Sequence, residues 1–175
     1  MQVDPHPPHS WSTYDPRRAS DAAVHLYDYW MSKRRDQDDL PSRDDIRPEE
    51  IKPLLPYLWI MDFDRPTRTF RYRLIGTAVV EGVGEDYTGR TLAECQPDEG
   101  AYDTATRALL RLADDAVPLW RIGTPMFHHH AEVLRLENLI LALAADRRRP
   151  DRILGLTLFY DSGGRLYRPG VIRAT

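Results

Sequence analysis

Three consecutive histidines, His128 to His130, are the residues whose type and spacing come closest to a metal-binding site. Because neighbours along a strand point to opposite faces, His128 and His130 would share one face. Neutral imidazole is a common ligand of metals and of haem iron. A metal normally takes three or four protein ligands, however, and only Glu132 stands nearby on the same face. A solvated strand end is therefore the favoured interpretation, with His128 and His130 kept as candidate ligands.

The sequence carries no motif of nucleophilic or nucleotide-dependent catalysis. Neither Ser162 nor Cys95 stands in a Gly-x-Ser-x-Gly motif or a comparable activated context. The stretch Gly82-Val83-Gly84 lacks the further glycine and the lysine that hold a nucleotide phosphate. The remaining enzymatic hypothesis is a carboxylate general base, with Asp86 or Glu137 as candidates. These absences favour a protein that binds or senses a molecule and is not an enzyme.

Glu137 and Asn138 form an unusual polar pair because they interrupt the apolar run 134–143. The favoured interpretation is a β-bulge or a strand face open to solvent. The alternative is that one of the two side chains points into a pocket. In that case a single polar group would stand among apolar neighbours, as is typical of small-molecule sites.

Composition limits the chain to one globular domain. Its 175 residues are 42% hydrophobic and 29% charged, which suits a packed core and leaves little room for two domains. The net charge of −3 comes from interspersed signs, so we expect no nucleic-acid partner, and the run Arg147 to Arg149 between acids indicates a solvated turn. The single cysteine excludes an intramolecular disulfide. With no apolar stretch of signal or membrane-spanning length, we expect a cytoplasmic protein with no membrane partner.

The elements that must position these residues alternate in type along the chain. Residues 1–18 are proline-rich and predict a flexible arm, 19–162 a single domain, and 163–175 a tail. Within the domain, alternating or apolar runs separated by polar turns predict strands near 57–63, 69–75, 118–127, 132–144 and 153–160. The fold class predicted is α+β: a five-stranded antiparallel sheet with helices on one face and an additional N-terminal helix.

The N-terminal helix, predicted over about 20–35, is apolar around most of its girth. Such a helix must be covered on more than one side. One side can pack on its own domain while the other meets a second protomer, which predicts a homodimer. The equally weighted alternative is a helix wrapped entirely within a monomer. The residues of the predicted dimer interface are Leu26, Tyr27, Trp30 and Met31.

Several short motifs, together with the element order, resemble the PAS domain. They resemble more narrowly a PAS-like family of α-proteobacterial proteins formerly catalogued as a domain of unknown function. The resemblance covers about residues 22–162, and the phrase from Phe70 to Thr77 is its most specific part. The matching stretches are Leu40 to Pro48, Leu54 to Pro56, Phe70 to Thr77, and Tyr87 to Arg90.

The resemblance implies a stand-alone sensory or small-ligand-binding signalling module, for which a protein signalling partner is a further expectation. The ligand would lie between the inner face of the sheet and the helices. No cofactor can be assigned from the sequence. An interaction or dimerisation module with a filled core and no ligand is the alternative. The predicted pocket residues are Tyr72, Leu74, Val79, Trp120, Asn138 and Ile140, of which Tyr72, Trp120 and Asn138 would supply hydrogen-bonding groups.

Overall fold

One antiparallel sheet organises the residues that the computed structural model describes, which are 10–96, 98–125 and 135–168. The α+β class and the antiparallel sheet predicted from the sequence are confirmed. The order across the sheet is β1-β4-β5-β6-β2-β3, so that β5 and β6 lie at its centre. Over the described residues its six strands are β1 (Ser12–Thr13), β2 (Leu58–Asp64), β3 (Thr69–Ile75), β4 (Leu119–Gly123), β5 (Arg135–Leu143) and β6 (Arg152–Tyr160).

The strand that the sequence does not predict is β1, which lies within 1–18, the stretch predicted to be a flexible arm. Ser12 and Thr13 pair with β4, and the amide of Tyr14 donates to the carbonyl oxygen of Pro118 at 3.1 Å. The described part of the arm, 10–18, is therefore attached to the sheet. The described start of the predicted tail is attached as well, since the amide of Tyr167 donates to the carbonyl oxygen of Phe159 at 2.7 Å. Both pairings are too short to produce an alternating sequence pattern.

The two longest helices begin at side-chain caps that satisfy free amides of their first turns. Ser20 Oγ accepts from the amide of Ala23 at 3.3 Å, and Asp98 Oδ1 accepts from the amide of Ala101 at 2.8 Å. The segment before β2 consists of 3-10 turns, because its prolines interrupt a regular helix. The helices are α1 (Asp21–Ser32), α2 (Thr77–Val83), α3 (Leu92–Cys95) and α4 (Glu99–Asp115), and the 3-10 turns are Arg43–Asp45, Pro48–Glu50 and Lys52–Tyr57.

Both faces of the central strands are covered. From Leu136 to Leu143 every residue of β5 is buried, which explains why the strand is apolar apart from Glu137 and Asn138 over that stretch. Asn138 and Ile140 face a cavity shared with α2, α3 and α4. Glu137 faces the other way and accepts a hydrogen bond from the amide of Ser20, at the start of α1, at 3.0 Å. The sheet therefore separates a cavity face from an α1 face.

Helix α1 is wrapped within its own chain. Leu26 is fully buried and Trp30 is 1% exposed, so neither side chain can reach a second protomer, and their assignment to a dimer interface is wrong. The second apolar side of the helix is covered by the segment before it, where the Tyr14 ring stacks on Tyr27 with centroids 4.3 Å apart. Met31 remains exposed. A homodimer contact through Tyr27 and Met31 stays a prediction.

Arg147 ties the loop before the 3-10 turns to the turn between β5 and β6. Its guanidinium donates to both carboxylate oxygens of Asp39, to Asp45 and to the carbonyl oxygen of Lys33 at 3.1 Å. Its neighbour Arg148 is exposed. The interpretation of this arginine run as a solvated turn therefore fails for Arg147, which is a structural ion-pair partner.

Replacing Arg147 with glutamine is expected to lower the melting temperature at pH 7. It should also make the melting temperature fall less steeply as the pH is lowered. The hydrogen bonds from Arg147 hold the pKa of Asp39 below its ordinary value. A carboxyl with a depressed folded-state pKa stabilises the protein above its unfolded pKa of about 3.9, and this is lost as the pH falls through the folded value. The measurement is the melting temperature from pH 7 to pH 3.

The control for this prediction is Arg148→Gln, which removes an exposed guanidinium from the same turn. We expect it to follow the wild-type curve. The difference between wild type and Arg147→Gln should shrink below about pH 4, where Asp39 becomes protonated first in the unfolded chain and, at lower pH, in the folded wild type as well. A difference that stays constant down to pH 3 would contradict the assigned ion pair.

Candidate ligand-binding cavity

A cavity of about 100 Å³ lies between the sheet and the helices α2, α3 and α4. Its sheet wall draws on β2 to β6, and its opposite wall includes Val79 of α2, Leu92 of α3 and Ala105 of α4. Most of the lining is apolar or aromatic, as in pockets that take small molecules. The aromatic residues of the wall are Trp11, Trp59, Tyr72 and Tyr87.

A chain of hydrogen bonds crosses the sheet on the cavity face. Arg121, Asn138 and Thr157 are cross-strand neighbours on β4, β5 and β6. Arg121 Nε donates to Asn138 Oδ1 at 3.0 Å, and Asn138 Nδ2 donates to Thr157 Oγ1 at 2.7 Å. Trp59 Nε1 of β2 donates to the same Thr157 oxygen at 2.9 Å. Four strands thus contribute to one polar network inside an apolar wall.

Trp59 can lie across β6 because residue 155 has no side chain. Gly155 pairs with Trp59 in the β2–β6 ladder. A Cβ at position 155 would lie 2.0 Å from the indole ring, closer than any real contact. The glycine therefore permits the tryptophan to lie against the main chain and form part of the cavity wall.

Arg121 is the charged member of the network. It is 4% exposed, and burial lowers the pKa of its guanidinium to about 10, so the group stays protonated at neutral pH. It also donates to the carbonyl oxygen of Thr124 at 3.3 Å and lies 5.6 Å from the centroid of the Trp11 ring. The N-terminal segment that carries Trp11 therefore helps to enclose the charged end of the cavity.

Four of the six predicted pocket residues line this cavity: Tyr72, Val79, Asn138 and Ile140. Leu74 does not, and its side chain is 44% exposed. A β-bulge between β2 and β3 pairs Ile60 with Leu74 but Met61 with Tyr72. The extra residue breaks the alternation, so Ile75 faces the cavity in place of Leu74. The placement of Leu74 in the pocket is wrong for this reason.

Trp120 also lies outside the cavity. It faces the α1 side of the sheet, where its Nε1 donates to Glu137 Oε1 at 2.7 Å. Its neighbour Arg121 takes the cavity side because successive strand residues face opposite ways. The sequence prediction thus chose the wrong member of an adjacent pair. The signal that was missed is a charged residue within an apolar strand, and Thr157 interrupts β6 in the same manner.

Glu137 and Asn138 lie in regular ladders with both neighbouring strands. The favoured interpretation, a bulge or an exposed face, is therefore wrong, and the alternative of a polar group facing a cavity holds for Asn138. The carboxylate of Glu137 accepts hydrogen bonds from the Ser20 amide, Trp120 Nε1 and, at 3.1 Å, the hydroxyl of Tyr160. Burial and the charge of Glu137 raise the pKa of Tyr160 to about 12. Glu137 thus anchors α1 to the sheet.

The other candidates for chemistry have structural partners as well. Asp86 accepts hydrogen bonds from the amide and hydroxyl of Thr88, which lower its pKa, whereas a general base works best with a pKa nearer neutrality. Burial raises the pKa of the Cys95 thiol to about 11, so it is not an activated nucleophile. His128 and His130 lie outside the described residues, within which no three metal-ligating side chains converge.

A protein-family model described as PAS domain matches residues 18–158, which is most of the chain. The protein therefore belongs to the PAS domain family, as its motifs and strand order indicate. PAS domains form a class of sensory and signalling modules that in general have no enzymatic activity. No curated protein and no solved structure matches the chain significantly. Among the described residues, no helix is long and apolar enough to cross a membrane.

Proposed function

We propose that this PAS domain is a sensory module that binds a small molecule in the cavity between the sheet and α2 to α4. The observation that carries the proposal is the network of Arg121, Asn138, Thr157 and Trp59 on the wall of an otherwise apolar cavity. A few convergent polar groups within an apolar enclosure are typical of ligand sites.

The volume of the cavity supports the same function. Apolar side chains around a space of about 100 Å³ lack the packing contacts that a filled core would give them. An interaction module without a ligand would be more stable if larger side chains filled this part of its core. A bound molecule would recover the lost contacts and link its concentration to the stability of the domain.

Native mass spectrometry and thermal melting against a metabolite panel test the proposal. We expect a retained mass, or a compound that raises the melting temperature by about 5–10 °C at a hundredfold excess over its Kd. The variant Ala105→Phe fills the cavity from α4 and should abolish this shift. Ala105→Leu is a milder filling variant in case the larger ring prevents folding.

The matched control is Leu74→Phe, which introduces the same ring on the exposed side of β3. It should bind as the wild type does. The proposal fails if no molecule is retained, no compound stabilises the wild type, and Ala105→Leu raises stability with no other effect. It also fails if a stabilising compound acts equally on the wild type and on both filling variants.

A further inference from the structure

The hydrogen-bond network on the sheet wall of the cavity leaves donors, and not acceptors, to face a ligand. Thr157 Oγ1 accepts from Asn138 Nδ2 and from Trp59 Nε1, which occupies both lone pairs of the hydroxyl oxygen. Its own O–H proton makes no hydrogen bond among the described residues. Because Thr157 lines the cavity, the group left to face a ligand is a donor.

The orientation of the Asn138 amide follows from its neighbours. A guanidinium cannot accept a hydrogen bond, so the atom of Asn138 that meets Arg121 Nε must be the oxygen. The amide nitrogen therefore faces Thr157 and uses one of its two protons there. Its second N–H is a further donor on the same wall.

Tyr72 adds a third donor. Its side chain lines the cavity, and its hydroxyl makes no hydrogen bond within the described part of the chain. Burial raises the pKa of this hydroxyl, which keeps it protonated at physiological pH. Glu85, the carboxylate on the lining, is half exposed and paired with Arg90 at 2.7 Å, so its charge is directed to an ion pair at the surface.

The size and walls of the cavity limit the body of the ligand. A dry apolar cavity of about 150 Å³ holds benzene, so about 100 Å³ suits a smaller molecule of roughly four to six heavy atoms. The rings of Trp59 and Tyr72 meet edge to face at 6.0 Å, and Tyr87 lies 6.3 Å from Tyr72. Aromatic walls of this kind favour a flat or compact apolar body.

We propose that the ligand is a compact apolar molecule with one carbonyl or carboxylate group, which accepts hydrogen bonds from Asn138, Thr157 and Tyr72. This inference rests on the proposed ligand-binding function. A cationic or purely donating head group would face donors and leave them without acceptors, which costs binding free energy.

Two matched sets of compounds test the head group on the full chain by isothermal titration calorimetry and thermal melting. The ring set is benzoate, benzamide and benzylamine, and the smaller set is isobutyrate, isobutyramide and isobutylamine. We expect the acid or the amide of at least one set to bind at least tenfold more tightly than the amine of that set. The smaller set ensures that a ring too large for the cavity does not decide the result.

The variant Thr157→Val removes one donor. It should lower the ratio of the affinity for the acid or amide to the affinity for the amine of the same set. Thr69→Val is the control, because Thr69 lies on β3 outside the lining of the cavity. Its ratio should match the wild type. The ratio is compared, rather than the affinity, because Thr157→Val also leaves Trp59 Nε1 without its acceptor and lowers stability.

The outcomes separate the two proposals. Binding of either amine as tightly as its matched acid and amide overturns the ligand class but leaves the sensory function standing. A retained native molecule without a carbonyl or carboxylate group does the same. If all six compounds fail to bind, the ligand class is overturned, and the sensory function falls with it only when the metabolite panel and native mass spectrometry are also negative.

Discussion

Replacing Trp30 with alanine is expected to lower the free energy of unfolding by about 3–5 kcal/mol. The indole is almost fully buried, and its Nε1 donates to the carbonyl oxygen of Ala142 at 2.8 Å. Tyr27 packs 6.0 Å from the indole ring, and the Arg34 guanidinium lies 5.3 Å from it. The change would open a cavity and leave a central carbonyl without its partner. Urea unfolding followed by tryptophan fluorescence and circular dichroism measures the loss.

Met31→Ala is the control on the same helix. The Met31 side chain is 38% exposed, so its truncation should change the free energy of unfolding by no more than about 0.5 kcal/mol. Sedimentation velocity of Met31→Glu tests the remaining dimer contact separately from stability. If Trp30→Ala unfolds at the wild-type urea concentration, the burial of α1 within its own chain is contradicted.

Replacing Glu137 with alanine is expected to lower the free energy of unfolding by about 3 kcal/mol. The change deprives the Ser20 amide, Trp120 Nε1 and the Tyr160 hydroxyl of their acceptor. A buried donor left without a partner, as Trp120 Nε1 would be, costs about 1–3 kcal/mol, and the two part-buried donors cost less; the loss is offset in part because a buried charge is removed. Equilibrium unfolding in urea at pH 7 measures the effect.

Glu137→Gln separates the hydrogen bonds from the charge. Its amide oxygen can accept from Ser20 and Trp120 while its amide nitrogen donates to Tyr160, so the loss should be roughly half that of the alanine variant. Hydrogen exchange adds a local readout, because the amides of the first turn of α1 should lose protection in Glu137→Ala. Equal stability of Glu137→Ala and the wild type would refute the anchoring role.

The sequence predicts the long, periodic elements and misses the short ones. β2, β3 and β6 were predicted within one residue at most of their bounds, because each alternates or is continuously apolar over at least seven residues. β1 has two residues and no period, so its pairing depends on the edge that β4 offers. Tertiary contacts of this kind leave no local pattern for a single sequence to show.

The errors at the candidate site concern the face of the sheet on which a side chain lies. Leu74 was placed inward by strict alternation, and the bulge that turns it outward has no glycine or proline to mark it. The sequence points to Trp120 as a source of a hydrogen-bonding group on β4, but Arg121 supplies that group, and its guanidinium is tolerable in the interior because Asn138 accepts its hydrogen bond. Asn138 was found because a polar residue inside an apolar strand is costly unless it has a partner.

The absence of a side chain at Gly155 makes part of the cavity wall depend on main-chain atoms and one indole. Alanine at this position would have to displace Trp59, and with it the donor that reaches Thr157. One methyl group would thereby alter both the shape of the cavity and the hydrogen bonds on its wall. Under the proposed ligand binding, related chains that differ at this position are expected to accept different molecules, so position 155 is a place where ligand preference can diverge by a single substitution.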